Sequence, residues 1–432
     1  MPTLFVSLDS LRKRLHWLLV LLATSGGTLG TATTSNAALA GATPWAVIKC
    51  KFSDQLQEPV FDPAFLTGTN GMAGYWNNVS YGQISLNGTT INGWYNLPIT
   101  LADAQAIPVA TRRQQIINAC IAAATDIDVS KYYGVIALVN AVIDSGAART
   151  GAPGRVLLDP YAWNVTFAAH EMGHGYGLNH SWLAAPPTQY GNPWDIMSAM
   201  NVDAFHGGFG RPASDYAAVG LAPPPGDGYP SGPGLNAPNL DKFGWLAANR
   251  IAAWNGGSQT VTLAALNHPE AAGYFMCKVP FDPIDPNHYY TVEFRRKTGW
   301  DVGIPRDTVM INEVRQDGLF YLINIDGGPE RLSNQTFHDL QNNLDITVLN
   351  IDSASSTATV NIGRNVVWVD FNYLGQSQLG TYDLPYATLA QGLNAVAYDG
   401  TVKIKAGSTT STASISRKMR IEAYGGLVTI GK

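Results

Sequence analysis

The sequence predicts an α+β unit followed by two all-β units. Strand-like and helix-like patterns alternate through the first half of the chain, and helical periodicity stops at about Ile251. Short β-rich runs separated by turns then continue to the end. A chain of 432 residues is also too long for one ordinary core. We therefore predict a signal segment over 1–40, an α+β domain over 41–250, a β-sandwich-like domain over 251–363 and a small β module over 364–432.

The first 40 residues have the pattern of a secretory signal peptide. Basic residues at 12–14 precede the apolar run Trp17 to Ala23, and small residues follow up to Ala38-Leu39-Ala40. The apolar run is much shorter than the roughly 20 residues that a membrane-spanning helix needs. We therefore expect a secreted, extracellular protein with no membrane span after signal cleavage.

The net charge bears on the binding partner, and the cysteine content bears on disulfide bonding. The formal net charge is -5, whereas nucleic-acid-binding proteins are typically basic, so we expect no nucleic-acid partner. The three cysteines, Cys50, Cys120 and Cys277, are too few and too scattered for a disulfide framework. Two states stay open at this point, a single Cys50 to Cys120 disulfide or three buried thiols.

The α+β prediction comes from four segments in order. The run beginning at Trp45 is β-branched and alternating, as in a strand. Ser80 to Trp94 predicts a hairpin around the turn Asn87-Gly88. Thr111 to Ala124 has apolar residues at helical spacing, and Gly134 to Asn140 is a short apolar strand.

The second half of this unit contains a helix predicted over Val165 to Tyr176. Ala184 to Pro238 is crowded with proline and glycine, including Pro223-Pro224-Pro225, and predicts irregular surface. A short helix is expected over Leu240 to Ala247. Further strands are expected at Thr260 to Ala264, Tyr289 to Phe294, Val309 to Val314, Ala358 to Ile362, Val366 to Phe371, Thr401 to Lys405, Ile415 to Ala423 and Val428 to Ile430.

Residues 170–180 fill every fixed position of the metal-binding pattern HExxHxxGxxH. Residues four apart lie on one face of a helix, so His170 and His174 can present nitrogens to one ion. Gly177 tolerates the backbone angles of a sharp turn, which can return His180 as a third ligand. Glu171 is displaced around the helix and can reach a water instead of the ion. Three protein ligands and one open position are typical of catalytic zinc.

This segment resembles the metzincin zinc peptidases. Asp195-Ile196-Met197-Ser198 resembles their Met-turn, in which Met197 would form an apolar floor under the imidazoles. Short segments such as Gly93-Trp94-Tyr95 and Leu240-Asp241-Lys242-Phe243-Gly244-Trp245 are similar to segments of gametolysin-like and immune-inhibitor-like secreted bacterial peptidases. The resemblance implies a metzincin-type catalytic domain with a mixed sheet, an active-site helix and one catalytic Zn²⁺.

Two features limit what the resemblance implies. Several metzincins have a transition-state tyrosine two residues after the Met-turn methionine, where this chain has Ala199. That role is unassigned. No known calcium loop is visible either, although four aspartates could supply oxygen ligands for Ca²⁺. These are Asp159, Asp195, Asp301 and Asp307.

The predicted activity is hydrolysis of peptide bonds, with Glu171 as the general base and an extended substrate held along an exposed strand edge. Two alternatives stay open, namely a catalytically silent zinc domain that binds a surface and a zinc hydrolase of a non-protein substrate. The C-terminal module, with Gly400 to Ile404 and Arg420 to Gly426, resembles the opening coils of pectin-lyase-like β-helices. A cell-surface or carbohydrate contact and a plain stabilising cap are both compatible with it.

Overall fold

The structure is a computed structural model that describes residues 38–198, 232–282, 284–325 and 327–432. The basic and apolar parts of the predicted signal peptide lie outside the described residues. So do Ala199 and Pro223-Pro224-Pro225 of the predicted irregular segment.

The first half of the described chain alternates between strands and helices. Its elements are β1 (Gly41–Ala42), β2 (Trp45–Lys51), α1 (Ala64–Thr67), α2 (Met72–Val79), β3 (Ile84–Ser85), β4 (Thr90–Asn96), α3 (Leu101–Ala106), α4 (Val109–Ala123), β5 (Gly134–Val139), β6 (Gly146–Ala147), β7 (Gly154–Leu158), α5 (Val165–Tyr176), β8 (Trp182–Ala184), β9 (Pro187–Gln189) and α6 (Ala237–Lys242).

Strands dominate the second half. Its elements are β10 (Ile251–Ala253), β11 (Gln259–Ala264), β12 (Met276–Pro280), β13 (Tyr289–Arg295), β14 (Thr308–Val314), β15 (Phe320–Leu322), β16 (Thr336–Asp339), β17 (Leu344–Asp352), β18 (Thr357–Val369), α7 (Leu389–Ala395), β19 (Val396–Thr409) and β20 (Arg420–Ile430).

Five of the described strands form a sheet in the order β4-β2-β5-β7-β6. The first four are parallel, and β6 pairs antiparallel with β7 at one edge. Alternate residues of β2 enter two different cores, as the two-residue period of a strand requires. Ile48 packs with Ile116 of α4, and Val47 belongs to the core that contains Ala168 of α5. Helices therefore cover both faces of this sheet.

Three glycines surround the indole of Trp45. A Cβ atom on Gly134, Gly154 or Gly175 would lie 2.5, 2.2 or 2.6 Å from ring carbons of Trp45. Real Cβ contacts are never this short, so the ring fits only because β5, β7 and α5 each have a glycine there. The indole Nε1–H donates to the hydroxyl of Tyr176 at 3.1 Å. This contact fixes the distance between α5 and the sheet.

The predicted hairpin around Asn87-Gly88 is wrong. The chain does turn there, with the N–H of Thr89 donating to the carbonyl of Leu86 at 3.0 Å. However, β3 pairs with β1, and β4 pairs in parallel with β2. A local turn signal favours chain reversal but does not determine which strands pair. Here the strands on either side of the turn, β3 and β4, pair with other strands and not with each other.

Two larger sheets share a core in the second half. Seven of the described strands follow the order β10-β12-β13-β14-β15-β8-β9, and six others form a sheet of β16-β17-β18-β19-β20 with β11 also paired to β18. Phe294 and Ile311 of the first sheet pack with Ile346 and Val360 of the second. Parallel pairing of β8 with β15 joins residues before 250 to this layer.

The C-terminal module is built on the second half of β18. That strand pairs antiparallel with β17 up to Gly363 and parallel with β19 from Arg364 onward. β20 adds to β19 in parallel, and α7 covers the apolar face through Leu389 and Leu393. Gly363 is close to the backbone of Ala397, where a Cβ would approach to 2.8 Å.

The structure thus has mixed helices and several sheets, with strands dominating, which is compatible with the predicted α+β class. Most predicted strands and helices are present, but four strands predicted as separate are two. Ala358 to Ile362 and Val366 to Phe371 belong to β18, and Ile415 to Ala423 and Val428 to Ile430 meet in β20, which begins only at Arg420. The short helix expected over Leu240 to Ala247 instead begins at Ala237 and ends at Lys242. The domain boundaries at residues 250 and 363 stay predictions.

Candidate metal centre

Helix α5 has defined signals at both ends. The Asn164 side chain accepts a hydrogen bond from the N–H of Phe167, which caps the first turn. The helix ends at Gly177, whose φ of 104° lies in the left-handed region. The predicted role of Gly177 as the helix breaker is confirmed, and the chain beyond it turns back toward the helix.

The turn brings His170, His174 and His180 together. His174 Nε2 lies 3.2 Å from His170 Nε2 and 2.9 Å from His180 Nε2. Ligand nitrogens at about 2.0 to 2.1 Å from one tetrahedral ion are about 3.3 Å apart, so these separations fit a shared ion. Within the described residues this is the one group of three or more histidine, cysteine or acidic side chains that could hold a metal.

Each imidazole is oriented through its other nitrogen. His170 Nδ1 lies 2.9 Å from the carbonyl of Ile196, and His174 Nδ1 lies 2.8 Å from the carbonyl of Leu178. Only an Nδ1–H can donate to these carbonyls, which leaves Nε2 as a lone-pair donor. The side-chain amide nitrogen of Gln189 lies against His180 Nδ1. Turning that amide over would place its carbonyl oxygen, an acceptor, against an Nδ1–H. Such partners fix the tautomer of metal-binding histidines.

The imidazoles of His174 and His180 are also held in their neutral form. Burial, followed by the neighbouring imidazoles, lowers the pKa of His180 to about 3. Burial and His170 likewise lower the pKa of His174. Neutral imidazole is the form that binds a metal, so the donor set fits a cation such as Zn²⁺ without prior loss of protons.

Glu171 lies beside the three imidazoles and is buried, with only 4% of its surface exposed. Its Oε2 accepts a hydrogen bond from the N–H of Ala147 in β6 at 2.6 Å. Burial raises the pKa of Glu171 above its ordinary value, although His174 and the Ala147 N–H oppose this effect. A carboxylate with a raised pKa and a fixed orientation is suited to accept and return a proton.

Met197 packs under the helix that carries the histidines. Its side chain is fully buried, and a Cβ on Gly173 would come within 2.5 Å of the Met197 sulfur. Gly173 therefore provides the space that the thioether occupies. The backbone next to Met197 also supports the centre, because Ile196 provides the carbonyl that orients His170.

A buried polar network lies next to this turn. Asp195 accepts hydrogen bonds from the hydroxyl of Ser181 and from Asn239 Nδ2 at 2.9 Å. Burial raises the pKa of Asp195 to about 6. Nearby on β13, Arg295 donates to Asp301 at 2.5 and 3.0 Å. Ser181 follows His180 directly, so the network fixes the backbone that carries the third imidazole.

The four aspartates considered for Ca²⁺ are not brought to one point. Asp159 caps the short turn at Tyr161, and Asp307 bonds with Ser353 and Lys297. Asp195 and Asp301 belong to the buried network. All three cysteines are buried thiols, which is the second of the two states left open.

Three residues near the centre were missed by sequence reasoning. Ala147 binds Glu171, Gln189 contacts His180, and the ring of Tyr190 lies 4.1 Å from that of His180 between ring centroids. Gln189 and Tyr190 follow the third histidine within ten residues. That proximity was the available signal, but the surrounding prolines suggested irregular surface instead.

An aromatic cluster lies on the outer face of the C-terminal module. Trp368, Tyr382 and Tyr424 meet edge to face, and Lys405 Nζ lies 4.3 Å from the ring centre of Tyr382. Tyr382 and Tyr424 are each nearly half exposed. The expected cell-surface or carbohydrate contact of this module stays a prediction.

Helices in the described part of the chain are all too short or too polar to cross a membrane. Neither the models of known protein families nor the curated proteins include a match to this chain.

Proposed function

We propose that this chain is a secreted zinc-dependent endopeptidase of the metzincin type. The observation that carries the proposal is the convergence of three Nε2 atoms, with each Nδ1 engaged by a separate oriented partner. A carboxylate, Glu171, stands beside them and is held by a backbone N–H. The motif over residues 170–180 and the position of Met197 support the family resemblance.

The proposed metal fits this donor set and would supply electrophilic activation of the substrate carbonyl and of a water molecule. His170, His174 and His180 would hold it as neutral ligands. Glu171 would accept a proton from the attacking water and return it to the amine that leaves. The N–H of Ala147 keeps the Glu171 carboxylate oriented while the proton moves.

Strand β6 supports the expected mode of substrate binding. It is the edge of the five-stranded sheet, pairs with β7 on one side only, and reaches the centre through Ala147. We propose that an extended peptide lies along this edge with its scissile bond in front of the imidazoles. Main-chain hydrogen bonds would then provide binding with little dependence on side chains.

The test combines metal analysis with digestion of a mixed peptide library. We expect about one zinc per chain and cleavage that a chelator stops and added zinc restores. Glu171→Gln should keep the zinc and reduce cleavage to background, whereas His180→Ala should weaken zinc binding. Peptidase activity retained by Glu171→Gln would remove this residue from the mechanism, and unchanged metal content in His180→Ala would exclude it as a ligand.

The same experiment separates the alternatives. Zinc binding without cleavage of any peptide would favour the silent surface-binding domain. Zinc-dependent cleavage of a non-protein linkage alone would favour the other hydrolase. The buried carboxylate of Glu171 argues against a catalytically silent zinc domain, because metal binding by three imidazoles requires no carboxylate at that position.

A further inference from the structure

Strands of both large sheets contribute to a cavity that shares no residue with the candidate metal centre. Its volume is about 350 Å³, which is within the range of small-molecule sites in proteins. Trp254 follows β10, and Phe281 follows β12, so these two rings come from the first sheet. Leu344 and Arg364 come from β17 and β18 of the second.

Arg364 is the one lysine or arginine among the described residues that line this cavity. Its guanidinium carbon lies 5.9 Å from the ring centre of Trp254, which also lines the cavity. The side chain is only partly exposed, and its Nε is buried without a hydrogen-bond partner. In the part of the chain that the structure describes, no carboxylate forms an ion pair with Arg364. A partly buried cation without an anion is costly, so the cavity favours a negatively charged ligand.

The backbone that presents Arg364 is held in place. β18 leaves β17 at Gly363, and Arg364 aligns with Val396 of β19. Asn343, in the turn between β16 and β17, holds the chain two residues further on. Its Nδ2 donates to the carbonyl of Val366 at 2.6 Å, and its Oδ1 accepts from the N–H of Val366 at 2.8 Å. The guanidinium therefore extends from an ordered strand, which reduces the cost of fixing it against a ligand.

One carboxylate, that of Asp282, also lines the cavity and opposes an anion there. Its Oδ1 accepts hydrogen bonds from the N–H of Ile284 at 2.8 Å and from the N–H of Asp285 at 3.1 Å. Its Oδ2 lies 3.1 Å from His288 Nδ1. These contacts hold the pKa of Asp282 below its ordinary value. Both oxygens of Asp282 are thus occupied by other donors, and the charge of Arg364 is left for a ligand.

The remaining groups define the kind of anion. A guanidinium presents its N–H groups as a planar fork that matches a carboxylate. Asn255 adds a second donor, because its Oδ1 accepts the N–H of Gly257 at 3.0 Å and its Nδ2 is left to the cavity side. A single cation balances one negative charge, and the rings of Trp254 and Phe281 provide apolar surface for the body of the ligand.

We propose that this cavity binds a small monocarboxylate with an aromatic or branched aliphatic body. The carboxylate pairs with the guanidinium of Arg364, and the body lies against Trp254 and Phe281. The inference does not depend on the metal centre or on the proposed peptidase function. Because the ligand contacts segments of both sheets in the folded chain, its binding raises the stability of that chain.

The test titrates the full chain with benzoate, whose ring and single charge suit the cavity, in a calorimeter. Benzamide has nearly the same shape and no charge, so it is the ligand control. We expect benzoate to bind at least about 10-fold more tightly than benzamide and to raise Tm. Arg364→Met should lower the affinity for benzoate about 10- to 100-fold. Arg306→Met, which removes an exposed arginine outside the cavity, should leave it unchanged.

A second variant does not alter the buried part of the cavity. Asn255 is exposed, and Asn255→Asp keeps the acceptor for the Gly257 N–H while it replaces the Nδ2 donor with a negative charge. This variant should also weaken benzoate binding, and it decides the question if Arg364→Met does not fold. Absence of benzoate binding, equal affinities for benzoate and benzamide, or benzoate affinity retained by either cavity variant would overturn the inference.

Discussion

Arg295 supplies a positive charge to the buried polar network next to the candidate metal centre. Its side chain is 0% exposed, and its guanidinium donates to Asp301 at 2.5 and 3.0 Å and to Glu293 at 3.3 Å. Burial lowers the pKa of Arg295, but the carboxylates of Asp301 and Glu293 outweigh this effect and raise it above the ordinary value. The two carboxylates therefore stabilise the charged form of Arg295.

The change Arg295→Met keeps most of the apolar stem and removes the charge. Asp301 and Glu293 would then remain buried, at 2% and 1% exposure, without a cation. Removing one partner of a buried ion pair costs about 3 to 5 kcal/mol. Since whole proteins are stable by only about 5 to 15 kcal/mol, this single change should remove a large part of the free energy of unfolding.

Urea unfolding followed by tryptophan fluorescence at pH 7 measures this cost. The matched control is Arg306→Met, because Arg306 is 58% exposed and its Nε lies 3.5 Å from Glu330. An exposed pair of this kind contributes about 0 to 1 kcal/mol. Adding Asp301→Asn to Arg295→Met should recover part of the loss by removing one stranded charge. Equal unfolding midpoints for the two arginine variants would refute the reasoning.

Two further predictions concern packing and pH. Gly175→Ala gains about 1 kcal/mol of helix propensity but places a methyl 2.6 Å from the Trp45 ring, and overpacking costs about 1 to 3 kcal/mol, so we expect a net fall in Tm in thermal melting. A Tm equal to or above that of wild type would contradict this. Burial raises the pKa of Glu293 to about 7, above its unfolded value of about 4.3, so its stabilising contribution is complete below pH 4 and is lost as the pH rises through 7. Glu293→Gln should make the stability measured by urea unfolding depend less steeply on pH between 4 and 7, and an unchanged slope would be evidence against the assignment.

The sequence predicted those elements whose bounds are determined by residues within one short segment. Helix α5 has the predicted bounds, since the motif, the Asn164 cap and the Gly177 break are all local. The same holds for the sites of the three imidazoles, whose spacing on a helix and turn is fixed by chain geometry. Strands such as β13 and β14 were also predicted within a residue or two, because β-branched runs have a clear pattern.

Pairing between distant segments could not be read from the sequence. The turn at Asn87-Gly88 is present, yet its two arms pair with β1 and β2, which are more than 30 residues away. The hairpin of β8 and β9 extends into the segment from Ala184 that was predicted as irregular surface because of its prolines and glycines. It is ordered by parallel pairing with β15, about 140 residues further along the chain.

The polar network was likewise invisible in advance. Asp195 was considered as a Met-turn residue and a calcium ligand, but nothing nearby in sequence indicated Asn239 or Arg295 as its neighbours. Asp, Asn and Arg are usually surface residues, and the sequence does not show that these ones are buried. They form a stabilising cluster only because the packed chain buries them together. Tyr190 was missed for a related reason, since it reaches the centre through ring contacts with histidines that fold back onto it.

The pairing of β8 with β15 sets the smallest fragment worth expressing. A chain cut at Arg250 would keep all three histidines and Glu171, but Trp182 and Leu183 would lose Tyr321 and Leu322, the residues against which they align. Strand β9, which presents Gln189 to His180, would then pair only with β8, and isolated two-stranded ribbons are at best marginally stable in water. Tests of the proposed activity should therefore begin with the whole chain.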